Sequence, residues 1–438
     1  MKTLPFHLLL AICLAMLPAH ASELLQPKAP VIPQRTFAVT DFSAVGDGST
    51  MNTAAFRKAV DACTKAGGGR VVVPAGDFLC GPFELATAVD LHLMKGAIIR
   101  MSQQFDDYPV TKNDRQGFIT ATAVHDVQIS GEGTIDGQGE SWWTAFRQTK
   151  GTAAAKSEPR RPQMIGLTRC ERVRIEGIKT LNPPNTHCSL RQCSEVSIEG
   201  LTMTAPGDSP NTDALNLNVR NALIRNCSIS TGDDNIVFLA SAPAKDGTFG
   251  VENIRVVSCT LGVGHGLSVG SYTSGGIRNI SVENVSFDGT TAGIRLKAAR
   301  DRGGIVENLT FRNIAMKNVK NPIYFTSYYP KEPARPDEDA GGTADNKIPR
   351  WRNITIEGGK FANCMSAMII WGLPEEPVRD ITLRNLEIAS ERGAVVYHAK
   401  GIRFENVKVQ AAKGAPLTTF DAEVDGMTAV PFAPPRQQ

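Results

Sequence analysis

The chain has 438 residues, 42% of them hydrophobic and 21% charged, and a formal net charge of +3 at neutral pH. So small a net charge gives no reason to expect nucleic acid as a partner, although a local basic patch can still hold an acidic polymer. With Gly 40 and Pro 26, composition also excludes a low-complexity chain.

Met1-Lys2-Thr3, an apolar run from Leu8 to Leu17 and the ending Ala19-His20-Ala21 have the parts of a secretory leader. The run is too short to span a membrane. The expectation is therefore an exported protein, periplasmic or extracellular, with a leader at 1–21, a linker at 22–36 and no membrane partner. Loss of Lys2 takes the formal charge to +3 − 1 = +2. Cys13 departs with the leader, and Cys63, Cys80, Cys170, Cys188, Cys193, Cys227, Cys259 and Cys364 remain. An even number permits disulfides after export. Cys63–Cys80 is the expected pair, tying a helix to a nearby strand. The spacings carry no zinc signature, and neither a metal nor another cofactor is expected.

Thr53 to Lys65 places Ala54, Phe56, Ala59, Val60 and Cys63 on one face and stops at Gly67-Gly68-Gly69, which predicts an amphipathic helix. Arg70 to Pro74 reads as a strand. A two-strand pattern then returns along the chain: Val196-x-Ile198 with Leu201-x-Met203, and Ile254-x-Val256 with Cys259-x-Leu261. Ile280-x-Val282 with Val285-x-Phe287, Leu309-x-Phe311 with Ile314-x-Met316, and Ile402-x-Phe404 with Val407-x-Val409 continue it. Alternation of period two means strands with one buried face. Recurrence at roughly 21 to 32 residues describes the coils of an all-β parallel β-helix. Residues 37–410 form this domain, with the predicted helix covering its open end and a tail at 411–438, poorly ordered where it is Pro-rich.

Cys227 and Cys259 occupy equal places in successive coils and should stack inward rather than bridge. Asn226, Asn279, Asn284, Asn308 and Asn353 each begin a glycosylation sequon, yet all fall at coil corners, where Asn tolerates left-handed backbone. The corner reading is preferred. Two stretches interrupt the repeat, Thr144 to Pro162 and Tyr328 to Pro349.

Chemistry gathers where a coil should simply continue. Asn211-Thr212-Asp213, Gly232-Asp233-Asp234 and Gly264-His265-Gly266 precede the apolar strands that begin at Leu215, Ile236 and Leu267. Asp213, Asp234 and His265 each lie two residues before those strands, and so share a column with about 4.8 Å per coil. Asp233 adjoins the column, and in the next coil Arg295 and Lys297 flank Leu296 and alternate outward. Neighbouring carboxylates repel, which keeps one of them protonated and able to donate to a glycosidic oxygen. Arginine and lysine beside them suit a sugar carboxylate. Singly, an Asp-Asp is a turn and an Arg-x-Lys a solvated face; their convergence in one column is harder to explain so.

Taken in this order, the set resembles the signature of family 28 glycoside hydrolases, the polygalacturonases. Ala205 to Pro210, Gly137-Gln138-Gly139, Trp142-Trp143 and Arg302-Gly303-Gly304 add to the resemblance, which runs from about Phe37 to Val409. It implies a right-handed, single-stranded, pectin-lyase-like solenoid and an inverting hydrolase without a metal, acting as a monomer on pectic polysaccharide. By motif position it makes Asp233 the general acid, and Asp213 and Asp234 the holders of the attacking water. His265 supports the acid's protonation, and Arg295 and Lys297 clamp the substrate carboxylate. Asn211 orients substrate or Asp213, and Tyr329, with Tyr328 as its rival, lines the cleft. His187 either reaches a neighbouring subsite or serves the structure. Asn235 stands where the family often has Cys.

Other pectic backbones (rhamnogalacturonan or xylogalacturonan), a lyase of the same fold and a non-catalytic β-helix adhesin are the competing readings. The insertion after Tyr329 is expected to close one end of the groove and to favour attack at chain ends.

Overall fold

The computed structural model describes residues 26–111, 114–152, 160–242 and 250–434. The expected leader at 1–21 lies outside them. No helix among the described residues is long and apolar enough to cross a membrane.

The predicted capping helix, α1 (Thr53–Lys65), has the expected limits and buries Ala55, Phe56, Ala59, Val60 and Cys63. Beyond it the chain winds into parallel coils, as the alternation requires. Each coil contributes a strand to three parallel stacks, and the crossovers take the right-handed sense general to parallel strands. One stack carries the chemistry, and its strands are numbered β1 to β9. These are β1 (Phe83–Glu84), β2 (Ile119–Thr122), β3 (Ile165–Thr168), β4 (Cys188–Glu199) and β5 (Leu215–Arg225). β6 (Ile236–Phe238), β7 (Leu267–Ser271), β8 (Ala292–Ala298) and β9 (Asn321–Thr326) follow.

The register is continuous: Ile165 pairs with Cys188, then Leu215, Ile236, Leu267, Ile294 and Ile323. These residues are buried and form one wall of the core. A second column runs from Val71 through Leu91, Ile129, Ile175, Ile198, Ile224, Val256 and Val282 to Phe311. Apolar side chains at a spacing of about 4.8 Å fill the interior without gaps.

The corner asparagines have the predicted conformation. Asn226, Asn279, Asn284, Asn308 and Asn353 take φ of 54–59°. The Asn253 amide donates to Asn221, Asn279 to Asn253, Asn308 to Asn279 and Asn353 to Asn308, at 3.1, 3.1, 3.1 and 2.6 Å. Cys227 and Cys259 are buried in adjacent coils, as expected.

Three expectations are corrected. Cys63 and Cys80 are both free thiols. Burial pushes them up to about 11 and about 12, so both behave as small apolar core residues. The strand pairing does not stop at 410 but continues to Asp425, and Val430–Pro431 pairs back onto Thr418–Thr419. This tail buries Leu417 and sets Phe420 and Phe432 against His398 and Tyr397, because the second open end of a solenoid also needs cover. The interruption at Thr144 begins inside a helix, α2 (Glu140–Thr149), which buries Trp142 and Trp143.

At the first end, Phe56 lies against Phe78 and Phe83, with ring centroids 6.0 and 5.4 Å away. Phe56→Ala opens a cavity under the cap and should cost about 3–5 kcal/mol. Thermal unfolding with a Tm close to wild type would show that α1 is not what closes this end.

Candidate active site

Before each of β5, β6 and β7 the chain turns a corner, and the turn resets the alternation. Ala214 and Asn235 are buried together with Leu215 and Ile236, so the preceding residue of each coil faces out. Asp213, Asp234 and His265 share that outward column, because Leu215, Ile236 and Leu267 are in register. The glycines around His265 serve this turn. Gly264 (φ 141°) and Gly266 (φ 75°) take backbone closed to other residues, and a Cβ on Gly266 would lie 2.1 Å from the Ala292 carbonyl. Asn235 completes the turn: its Nδ2 donates to Val263 O at 3.0 Å, and its Oδ1 accepts from Gly266 N at 2.8 Å. This side chain positions the His265 loop.

His265 Nδ1 lies 3.0 Å from Asp233 Oδ1. Asp234 is almost wholly buried and fully engaged: its Oδ2 accepts from Lys297 Nζ at 2.7 Å, and its Oδ1 from Ser268 Oγ at 2.7 Å and Arg295 Nη1 at 3.4 Å. Lys297 thus points out of the core, as expected, but is only 7% exposed and closes on Asp234. Removing one partner of so buried a pair strands the other, at about 3–5 kcal/mol. Arg295 keeps a buried Nε without an acceptor. Tyr329 faces this cluster, its ring 5.4 Å from Lys297 Nζ and 5.8 Å from the Arg295 guanidinium. Tyr328 instead packs on Trp371 and Arg300.

Asn211, with φ 55°, bridges outward. Its Nδ2 approaches Asp233 Oδ2 at 3.5 Å, and its Oδ1 accepts from Arg161 at 2.9 Å. It therefore orients Asp233 rather than Asp213. His187 does not join the site. It sits one residue further along, in the inward column of Ala214 and Asn235; it is fully buried and bonds Thr180 Oγ1 at 2.8 Å. Burial lowers it to about 3, so it is neutral and serves the core.

The cluster's charges are arranged asymmetrically. Burial, then repulsion from Asp233 and Asp234, holds Asp213 well above the ordinary carboxylate range. Burial also pushes Asp233 up, but the His265 hydrogen bond and charge, with Lys297, outweigh it and hold Asp233 below its usual value. Asp213 is thus the more readily protonated of the two in the free site. Asp233, Asp234 and His265 offer ligand atoms within 4.8 Å of one another, but a cation there would have to displace Lys297 from Asp234.

On the side toward α1 the cleft widens into a partly open pocket of about 550 Å³, floored by β2 to β5 and lined by Phe105, Arg115, Trp142, Phe146, Arg160, Arg161 and Arg191. The insertion from Tyr328 lies on the other side. It is held by Arg300 to Asp339 at 2.6 Å and by Pro336 O to His398 Nε2 at 3.2 Å. A second roof, which the sequence reading did not foresee, is built on the α1 side by α2 and the segment around Arg115. Sequence reading missed Ser268, Arg161, Arg191 and the roof of α2. Ser268, at the outward position of β7, and Arg191, at that of β4, carried a signal that register alone gives.

A parallel β-helix with stacked carboxylates, an imidazole and a cation pair on one outer face defines a glycoside-hydrolase type of site. The pattern of glycosyl hydrolases family 28 matches residues 63–413, and the chain belongs to that family. It is 33% identical over 339 residues to a probable polygalacturonase of Arabidopsis thaliana, covering 74% of this chain and 66% of that protein. It is 27% identical to an endo-polygalacturonase of Pectobacterium carotovorum subsp. carotovorum, over 84% of this chain and 89% of the relative. Among solved structures, a hyperthermoactive exopolygalacturonase from Thermotoga maritima superposes with a TM-score of 0.76 at 25% identity, over 89% of this chain and 95% of that one.

Because folding raises Asp213 above its ordinary value of 3.8, its contribution favours the fold below that value and is lost as pH climbs through the raised one. Asp213→Asn removes the charge without changing shape. It should match wild type at low pH and gain about 1 kcal/mol, roughly 2 °C in Tm, as pH rises. A Tm difference independent of pH would refute the protonated Asp213.

Proposed function

We propose that this enzyme hydrolyses α-1,4 linkages of a galacturonate-containing pectic polysaccharide and works from chain ends. The observation that supports the end-acting mode is the pocket beside Asp213, which α2 and the segment around Arg115 roof on the α1 side of the cleft. A roof on one side of the cleft favours entry of a polymer by its terminus. Relatives named as exo- and as endo-acting both resemble the chain, so the mode is argued from this geometry. The cationic lining, with Arg115, Arg160, Arg161 and Arg191 against Asp114 and Asp213, favours a backbone rich in free carboxylates over substituted ones. A polymer of that kind lies outside cells, which fits the export expected from the leader.

In this reading the sugar carboxylate beside the scissile bond meets the Arg295 guanidinium, the Lys297 ammonium and the Tyr329 ring. That added negative charge offsets the cations that hold Asp233 down, so Asp233 gains the proton and donates it to the leaving oxygen. Asp213, then ionised, takes a proton from water as the water attacks the anomeric carbon, with Asp234 as the fixed anion beside it. His265 holds Asp233 by hydrogen bond. A second reading is favoured by the upward shift of Asp213 in the free site: Asp213 is the acid, and Asp233 with His265 activates water.

A substrate with an activated leaving group needs no acid and separates the two. Asp233→Asn should lose about 10²–10⁴-fold on polygalacturonate and recover most of it on an aryl galacturonide. If Asp213→Asn is the variant so rescued, the second reading replaces the first.

The end-acting mode is checked by early products on long polygalacturonate. Short products with little fall in viscosity are expected, whereas a rapid fall with mixed oligomers would show an open groove.

A further inference from the structure

The insertion that begins at Tyr328 is fastened to the body at two places of different chemistry. At the first, Arg300 donates to Asp339 and to Glu375, both at 2.6 Å. A guanidinium and carboxylates keep their charges through the neutral range, so this tie is constant. The second is His398, in the strand Val378–Asp425, with a side chain only 4% exposed. Its Nδ1 lies 2.9 Å from Asp421 Oδ2 on the tail, and its Nε2 lies 3.2 Å from the Pro336 carbonyl oxygen of the insertion.

Both neighbours accept, and neither has a proton to give. A neutral imidazole carries one N–H, so it satisfies one neighbour and sets a lone pair against the other. The imidazolium carries two and satisfies both. When the ring gives up a proton, the closer and charged acceptor keeps the one that remains. The contact surrendered is therefore the one to Pro336. Asp421 is the charged group that faces the ring from the tail, and Phe420 stands edge-on to it at 5.5 Å between centroids. The other charges nearby are taken up elsewhere. Glu375, from the preceding rung, is held by Arg300, and Arg335, beside Pro336, pairs with Asp337 and Glu338.

The insertion carries groups of the cleft. Its second residue, Tyr329, lies over Lys297 and Arg295. Glu332 accepts from the Tyr324 hydroxyl. Tyr324 is the rung partner of Arg295 on β9, and its ring lies 6.0 Å from that guanidinium. We propose that His398 is a pH-operated latch on this insertion. As an imidazolium it ties the insertion to the tail and keeps Tyr329 and Glu332 seated beside Arg295; as a neutral ring it lets Pro336 go, and the stretch before Asp339 loosens. Imidazole is the side chain suited to change charge between about pH 5 and 8, so the seated form belongs to the acid side. The latch stands on these hydrogen bonds alone, whereas its effect on substrate rests on the reading of function above.

The test compares the full-length wild type with His398→Gln by hydrogen–deuterium exchange at about pH 5.5 and about pH 8, with rates corrected for intrinsic exchange. The amides of Tyr329, Lys331 and Glu338, which donate to Ala298, Tyr328 and Arg335, report on the insertion. Wild-type protection there should fall about tenfold from the acid to the alkaline condition. Glutamine has no proton to lose, so protection in the variant should agree within about twofold at the two pH values. Asp421→Asn, at a half-exposed position, keeps an acceptor but removes its charge, and should move the wild-type transition to lower pH. Wild-type protection that ignores pH overturns the latch. So does a wild-type transition that persists in His398→Gln, or one that Asp421→Asn leaves in place; if His398→Gln fails to fold, the wild type and Asp421→Asn decide the matter. On polygalacturonate, the KM of His398→Gln relative to wild type should fall about fivefold from the acid to the alkaline condition. A constant ratio overturns the link between latch and cleft. Wild-type enzyme inactive on that polymer overturns the proposed substrate instead, and leaves the exchange result to judge the latch.

Discussion

Everything at the site depends on the hydrogen-bonded register between neighbouring parallel coils. A residue's position within its coil fixes its column, and columns repeat at about 4.8 Å. Groups far apart in sequence, such as Asp213, Asp234, His265 and Arg295, become neighbours with no dedicated scaffold. Catalytic geometry is then paid for by the same backbone hydrogen bonds that hold the core. The reliance is also a constraint, since a slip of one residue in any rung would move a carboxylate from the cleft to the interior.

That constraint explains why charge can be concentrated here. Asp234 gives up its solvation to Lys297, Ser268 and Arg295 and becomes a fixed anion. Asp213 lacks such partners and is shifted toward its protonated form, whereas Asp233 is held by His265. Three neighbouring carboxylates are thus set in three electrostatic states by what surrounds each of them. A carboxylate cluster of this kind is held in strained balance, and a substrate carboxylate that competes for Lys297 and Arg295 tips it.

The repeat, α1 and the outward column were legible because each rests on local periodicity or on counting from an apolar strand. His187 was ambiguous for a physical reason. The corner before each strand breaks the alternation, and parity cannot tell whether the residue at the bend faces in or out. Burial decides, and burial is tertiary. The paired reading of Cys63 and Cys80 came from an even count in an exported chain, which says nothing of whether two thiols meet. The roof over the cavity was illegible because α2 has polar residues around most of its circumference, and its apolar Trp142 and Phe146 meet partners from distant inserts. The continuation past 410 was hidden by weak alternation, since a terminal rung covers the core from one side and leaves many residues exposed.

The asparagine ladder carries a consequence for how the protein is made. Asn279, Asn308 and Asn353 present acceptor sequons in the unfolded chain, while in the folded coil their amides are tied to the asparagine of the preceding rung. In a secretory route that attaches glycans as the chain emerges, oligosaccharide transfer would race ladder closure. A glycan that wins would occupy the nitrogen that the stack needs, and the coils on either side would lose their stitch. The choice of production host is therefore a structural variable for this fold.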